Sequence, residues 1–185
     1  MKTIIIAGAI VTLGALGLVI AKSADNKPQD NKSTASSSST RASDKGKKAC
    51  ELITLADAKS LIGANATLAE GSGSPDLATT DAITVDNCTY SADGATLGDL
   101  KQLTIQSSFG DAKQVKLAYD NYRQQYPGES LADLSPEAYY ATELKHLNVL
   151  KGQYWLFVFG GSINDGDSIN KELHLKAARL ALQKL

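Results

Sequence analysis

Histidine and cysteine are scarce in this 185-residue chain, which contains two of each. The two histidines, His146 and His174, and the two cysteines do not follow the CxxC or HxxxH spacing of zinc sites. A hydrolytic triad would need a histidine that is oriented by a carboxylate and lies near a nucleophile. We interpret both histidines as surface or edge residues, and we expect no enzymatic activity, no metal and no cofactor.

A concentrated basic face is missing from the C-terminal part of the chain. Residues 49–185 carry eleven Lys and Arg against seventeen Asp and Glu. Nucleic-acid phosphates bind to clustered positive charge, so this composition argues against nucleic acid as a partner.

Charge is missing from Thr3 to Ala21, where nineteen residues read TIIIAGAIVTLGALGLVIA. A helix of that length covers about 28 Å, close to the hydrocarbon thickness of a bilayer. The run exceeds the roughly 7 to 15 residues of a signal-peptide core, which favours a retained transmembrane anchor over residues 1–21. Small residues near Ala21 keep a cleaved signal peptide as the alternative. The first interpretation predicts a single-pass protein of the cell membrane with its C-terminal domain outside the cytoplasm, and the second predicts a secreted protein.

The following segment, residues 22–48, lacks aromatic residues, leucine, isoleucine and valine, and its centre is rich in serine and threonine. Such a composition cannot bury enough apolar surface to offset the entropy of ordering the chain. We expect a disordered linker between the N-terminal helix and an extracytoplasmic domain at 49–185.

The domain alternates between helical and strand-like periodicity. Thr54 is placed to cap a first helix that Gly63 ends, and tyrosines line one face of a second. The order α-β-β-α-β-β-α predicts an α+β fold with an antiparallel sheet of about four strands and packed helices. Tyr154 to Phe159 is apolar at every position, which predicts a strand covered on both faces. The expected strands are Ala82–Ala92, Leu100–Phe109, Glu137–Lys151 and Gly152–Gly161, and the second and last helices are expected at Asp111–Tyr126 and from Asp167.

Cys50 and Cys88 could be a nucleophile, metal ligands, a lipid attachment point or a disulfide. A lipid-modified cysteine directly follows the hydrophobic signal region, whereas Cys50 lies beyond the whole linker. In an exported domain an even cysteine count favours a disulfide, and a first helix packed on the first strand would bring the pair together. We predict a Cys50–Cys88 disulfide.

Short motifs in this domain resemble those of a known group of proteins. CELITLADAKSLIG, CTY and EAYY…LNVLKGQYWLFVFGG are similar to the motifs of a family of small uncharacterised cell-envelope lipoproteins of actinobacteria. The resemblance covers nearly all of Cys50 to Leu185, and it implies an envelope location and a structural pairing of Cys50 with Cys88. The chain departs from that family at its N-terminus, where an uncharged span without a lipobox replaces the lipidated cysteine.

Tyrosine is the residue type that best suits a binding surface in this domain, because its ring is apolar and its tip is polar. The spacing of the tyrosines also fits a core, so both interpretations stay open for Tyr119, Tyr122, Tyr126, Tyr139 and Tyr140. We expect a non-catalytic binding or interaction module of the cell envelope, whose partner is the membrane together with an envelope protein or a small ligand. A structural accessory component of an envelope complex is the alternative, and an atypical enzyme is a weaker one.

Overall fold

Seven strands pair into one antiparallel sheet in the computed structural model, which describes residues 46–70, 72 and 82–185. The strand order across the sheet is β1-β2-β3-β7-β6-β5-β4. The strands are β1 Thr67–Leu68, β2 Ile83–Ala92, β3 Lys101–Gly110, β4 Glu129–Ser130, β5 Ala138–Ala141, β6 His146–Lys151 and β7 Tyr154–Gly161. The helices are α1 Ala49–Leu52, α2 Leu55–Ile62, α3 Ala112–Gln125 and α4 Gly166–Lys184, and a short 3-10 helix spans Leu97–Asp99.

The α+β class and the antiparallel pairing are confirmed, but the sheet has more strands than the four expected. The expected long strand at Glu137–Lys151 is two strands, β5 and β6, which are joined by a tight turn at Thr142–Lys145. Lys145 adopts the left-handed conformation there, with φ of 55°. Two-residue strands β1 and β4 extend the sheet at its two edges.

The predicted anchor and residues 22–45 of the predicted linker lie outside the described residues. Within the part of the chain that is described, no helix is both long and apolar enough to cross a membrane.

The predicted helix boundaries agree closely with the structure. Thr54 caps α2 by accepting a hydrogen bond from the amide of Asp57, and the Asp57 carboxylate accepts one from the amide of Thr54. This reciprocal pair satisfies two amides that the first turn of a helix leaves without partners. Gly63 ends α2 with φ of 131°, a conformation that glycine adopts without strain. The side chain of Asp111 caps α3 in a similar way.

Helices α1, α2 and α4 cover one face of the sheet, which we call the helical face. Alternate residues of the central strands form the main core there: Cys88 and Tyr90 of β2, Leu103 and Ile105 of β3, Leu147 and Val149 of β6, and Leu156 and Val158 of β7. All of these side chains are buried.

The sequence periodicity predicts Ile169, Leu173, Ala177 and Leu180 on the inner side of α4, and the structure agrees for all of them except Ile169. Ile169 is 57% exposed, and the fully buried residues of the helix are His174, Ala177, Ala178 and Ala181. Alanine side chains are short, so they let the helix backbone approach β6 and β7 closely. The larger Leu173 and Leu180 then pack at the sides of the contact.

The predicted disulfide joins α1 to β2. The Sγ atoms of Cys50 and Cys88 are 2.05 Å apart, and the backbone amide of Ala49 donates to the buried carboxylate of Asp86 at 2.7 Å. Tyr90, two residues beyond Cys88, donates its hydroxyl to the carbonyl of Ile53. The four-residue α1 was not expected from the sequence, and these contacts fix it on the sheet.

Candidate binding surface

The sheet face opposite the helical face is covered by α3 at one end, and we call it the aromatic face. Val115 and Tyr119 of α3 pack there on Tyr139, Ala141 and Leu150. Beyond α3, side chains of β3, β6 and β7 are partly exposed.

The five tyrosines proposed for a binding surface separate into three groups. Tyr119 and Tyr139 are buried together beneath α3, with ring centroids 5.7 Å apart. Tyr122 and Tyr126, at the end of the same helix, are partly exposed and in ring contact at 4.8 Å. Tyr140 points to the helical face, where its ring stacks on that of His174. The structure therefore brings four of the five to the aromatic face and leaves two of those four accessible.

Three aromatic residues of β7 complete this surface. Tyr122 contacts Trp155 at 5.3 Å and Phe157 at 5.4 Å between centroids, and Phe157 contacts Phe159 at 5.6 Å. His146 lies beside both phenylalanines, at 4.6 Å and 4.9 Å. The rings thus form a continuous band from α3 to the far end of β7.

The sequence interpretation missed Trp155, Phe157 and Phe159, because it expected β7 to be covered on both faces. That expectation is wrong for one face: Leu156 and Val158 are buried under α4, whereas the three aromatic residues that alternate with them are partly exposed. The alternation was visible in the sequence as aromatic against aliphatic residues. Hydrophobicity alone treats the two kinds alike and so indicates a strand buried on both sides.

Cross-strand pairing arranges the aromatic face in rows, because directly opposite residues point to the same side of a sheet. The rows combine polar and aromatic side chains: the amides lie in the first row, and two threonine hydroxyls lie in the second. One row is Asn87, Gln106, Phe157, Asn148 and Tyr139, and the next contains Thr89, Thr104 and Phe159, followed by His146 and Ala141.

Charge is distributed unusually between the two faces of the sheet. The seven strands contain four Asp, Glu, Lys or Arg residues, namely Asp86, Lys101, Glu129 and Lys151, and register and alternation place all four on the helical face. There they bond to helical elements: Lys101 pairs with Asp165, Glu129 with Lys171, and Lys151 donates to the carbonyl of Leu182. The aromatic face of the described strands carries no Asp, Glu, Lys or Arg side chain.

Burial keeps His146, Tyr122 and Tyr139 of the aromatic face in their neutral forms near pH 7. Burial, with a smaller contribution from His174, lowers the pKa of His146 to about 4. Burial raises the pKa of Tyr122 to about 12 and also raises that of Tyr139. A cation lies beside this face: the guanidinium of Arg123 on α3 is 5.1 Å from the ring centroid of Tyr139.

Several buried polar atoms on this face have no hydrogen-bond partner among the described residues. They are Asn87 Oδ1, Tyr139 Oη, His146 Nδ1 and Asn148 Nδ2. Asn148 is fully buried, and its other amide atom, Oδ1, accepts a hydrogen bond from the Trp155 indole at 3.1 Å. Buried polar groups are nearly always hydrogen-bonded, so this cluster has hydrogen-bonding capacity that the described residues leave unused.

The histidines were expected at the surface, and for His174 this expectation is wrong. His174 is fully buried on α4, and its Nε2 lies 3.0 Å from the carbonyl oxygen of Gly160. That contact requires a proton on Nε2, and burial lowers the pKa of the ring. His174 is therefore a neutral packing residue between α4 and β7. His146 is half-buried at the end of β6.

Among the described residues, no group of three or more His, Cys, Asp or Glu side chains could hold a metal ion. A shallow groove of about 270 Å³ lies on the other side of the molecule, between α2 and α4, and Leu61, Leu173 and Lys176 line it. None of the five tyrosines proposed for a binding surface lines it.

The fold and this surface define a class, a small α+β domain with one helix-covered face and one largely uncharged aromatic face. Comparisons with protein-family models, with curated proteins and with solved structures found no match for the chain. The resemblance to actinobacterial envelope lipoproteins accordingly stays a prediction from its motifs.

Proposed function

We propose that this protein is a non-catalytic binding module of the cell envelope, exported and held at the membrane by residues 1–21, and that the aromatic face is its binding surface. The observation that carries the proposal is the partial exposure of Trp155, Phe157 and Phe159 on an open sheet face. Exposed aromatic clusters of this kind are typical of interaction sites, because a ring buries much apolar area at a small entropic cost.

The proposal of a non-catalytic role is supported by the chemistry of the same surface. Among the described residues, the strand side chains that point to this face include no carboxylate, and the one histidine among them, His146, is neutral near pH 7. A general acid–base reaction needs a group whose pKa lies near the working pH. Binding without chemistry is what the remaining amide, hydroxyl and aromatic groups suit best.

A second surface favours the alternative of a structural accessory protein. Leu97, between β2 and β3, and Ile163, between β7 and α4, are 88% and 85% exposed. Hydrogen bonds join the two loops at the residues beside them. Ser162 donates its hydroxyl to the carbonyl of Gly98, and Asn164 donates its side-chain amide to Asp99. A rigid apolar tip of this kind would suit a permanent contact in a larger complex.

Matched substitutions in the full chain separate the two surfaces. Phe159→Thr removes one ring while keeping a side chain that favours strands, Ile163→Thr alters the apolar tip, and Leu117→Gln alters an exposed leucine on the outer side of α3. The measurement is co-sedimentation of each variant, detergent-solubilised, with the envelope fraction of the source cells.

We expect Phe159→Thr to lower the bound fraction several-fold and the two other variants to bind like the unaltered protein. Loss of binding in Ile163→Thr with full binding in Phe159→Thr would replace the proposal by the accessory role. Equal binding of all variants would contradict both.

A further inference from the structure

The ligand of the aromatic face can be defined further from its chemistry, and this inference rests on the proposed function. We propose that the aromatic face binds a neutral glycan. Three features favour such a ligand: the charge partition across the sheet, the order of side chains within the rows and the unused hydrogen-bonding atoms.

The charge partition excludes ionic recognition as the main source of affinity. A solvated sheet face ordinarily carries the polar and charged residues of its strands, and here all four charged strand residues lie on the opposite face. An acidic polymer would lack cationic partners on the strands, and a basic one would lack carboxylates. A neutral ligand has no charge that would need an ionic partner on this surface.

The rows place hydrogen-bonding groups directly beside rings. Gln106 is the cross-strand partner of Phe157, and Asn87 is the partner of Gln106 on its other side. Neighbouring strands lie about 4.8 Å apart, so a ring and an amide are separated by roughly the width of one sugar residue. A pyranose has an apolar C–H face and a rim of hydroxyls, and it can lay that face on a ring while its rim reaches the amide.

The polar groups in the rows both donate and accept hydrogen bonds, as sugar hydroxyls do. Asn87 and Gln106 carry amides, Thr89 carries a hydroxyl, and all three are partly exposed. The hydroxyl of Thr89 also bonds to that of Thr104 at 3.0 Å, which orients it within the row. A proline-rich peptide, the other usual occupant of aromatic grooves, offers mainly carbonyl acceptors and would use only half of this capacity.

The unpaired buried atoms favour the same ligand class. Asn148 Nδ2 is a donor, Asn87 Oδ1 is an acceptor, and both lie in the row that contains Phe157 and Gln106. Hydroxyls of a ligand, or waters held beneath it, would supply both missing partners. A purely apolar ligand would leave them unpaired.

The test uses the single tryptophan of the chain, Trp155, which lies inside the band of rings. The full-length protein in detergent is titrated with cellotetraose, chitotetraose and maltotetraose, with tetragalacturonate as the charged counterpart and a decaproline peptide as the rival. Trp155 fluorescence and the NMR signal of its indole N–H, which donates to Asn148, report binding at the surface itself.

We expect at least one neutral tetrasaccharide to give a saturable change with Kd of about 1 mM or tighter, and tetragalacturonate to bind at least ten-fold more weakly. Gln106→Leu keeps the size of the side chain and removes its hydrogen bonds, so it should weaken glycan binding at least ten-fold. Gln183→Leu, at an exposed position of α4, is the matched control and should leave binding unchanged.

Absence of a response to all three neutral sugars at about 10 mM would overturn the glycan assignment, because a site of 1 mM affinity would be about nine-tenths filled. Preferential binding of decaproline, or tighter binding by Gln106→Leu, would overturn it as well. The proposed function fails separately: it falls only if Phe159→Thr retains full binding to the envelope fraction.

Discussion

A neutral imidazole lies within the band of rings on the aromatic face. His146 contacts Phe157 and Phe159 through its ring, and its buried Nδ1 has no hydrogen-bond partner in the part of the chain that the structure describes. Adding a proton would place a charge among these rings with too little solvent to stabilise it, and this desolvation lowers the pKa to about 4. The residue is therefore suited to apolar packing and hydrogen bonding rather than to carrying charge.

Acid should destabilise the fold through this residue. The folded-state pKa of about 4 lies below the ordinary value of 6.5, so the unfolded chain binds more protons between those limits. The stabilisation is complete above pH 6.5 and is lost as the pH falls through about 4. In His146→Phe, which keeps the ring contacts, we expect a smaller decrease in the free energy of unfolding between pH 7 and 4.

Urea denaturation at pH 7, 5.5 and 4 measures this difference. The residual acid sensitivity of the variant should come partly from His174, whose pKa is also lowered by burial. An equal decrease in the free energy of unfolding with pH for the variant and the unaltered protein would contradict the lowered pKa of His146.

Individual residues were predictable where a residue type has one dominant structural use. Two cysteines in a domain expected to be exported indicated the Cys50–Cys88 disulfide, and the structure contains it. Tyrosine is ambiguous between core and surface, and the structure uses both: Tyr119 is 1% exposed, whereas Tyr122, three residues further on, is partly exposed. The difference depends on where α3 ends over the sheet, which no local pattern contains.

At the scale of elements, the disulfide is the covalent link between α1 and the sheet. A four-residue helix has almost no stability of its own, because the conformational entropy lost in forming its one turn exceeds the free energy gained from its hydrogen bonds. The bond between Cys50 and Cys88 spans 38 positions and removes many conformations from the unfolded chain. It also holds Ala49 against Asp86, and Ile53 against Tyr90.

Reduction should therefore lower stability substantially. The chain-entropy relation gives about 4 kcal/mol for a loop of this length. We expect the urea midpoint of the native protein to fall markedly in reductant, and that of the Cys50→Ala/Cys88→Ala double variant to be the same with and without it. A midpoint of the native protein that is insensitive to complete reduction, verified by thiol blocking, would refute a stabilising role for the bond.

The ends of helices were predictable where local hydrogen bonds set them. Features of an element that depend on tertiary contacts were missed. The caps of α2 and α3 follow from Thr54 and Asp111, which act on amides within their own first turn. The turn between β5 and β6 contains no glycine or proline, and Lys145 takes the left-handed conformation that a glycine usually occupies. On α4 the predicted burial of Ala177 is confirmed and that of Ile169 is wrong, and the close approach of the helix to the sheet also buries Ala178 and Ala181.

For the whole molecule, the decisive feature is the pairing of β3 with β7. This pairing joins a hairpin of β2 and β3 to a meander of β5, β6 and β7, whose residues are about fifty positions away in sequence. Periodicity predicts that such strands exist, but it carries no information about which distant strands pair. The same pairing sets Gln106 beside Phe157, so the composition of the aromatic face could not be foreseen from either half alone.

The location of the molecule is tested by the native protein isolated from its source cells. Nineteen uncharged residues from Thr3 to Ala21 suffice to span a bilayer, and this length favours a retained helix over a cleaved signal. We expect the protein to stay in the membrane pellet after alkaline carbonate extraction. Its intact mass should equal that of the full chain less two hydrogens, and thiol blocking should add mass only after reduction. A mass beginning near Lys22 or Ala24, with the protein in the medium, would instead establish a secreted domain. Two thiols that are blocked without reduction would contradict the predicted extracytoplasmic location, because disulfides persist in oxidising compartments.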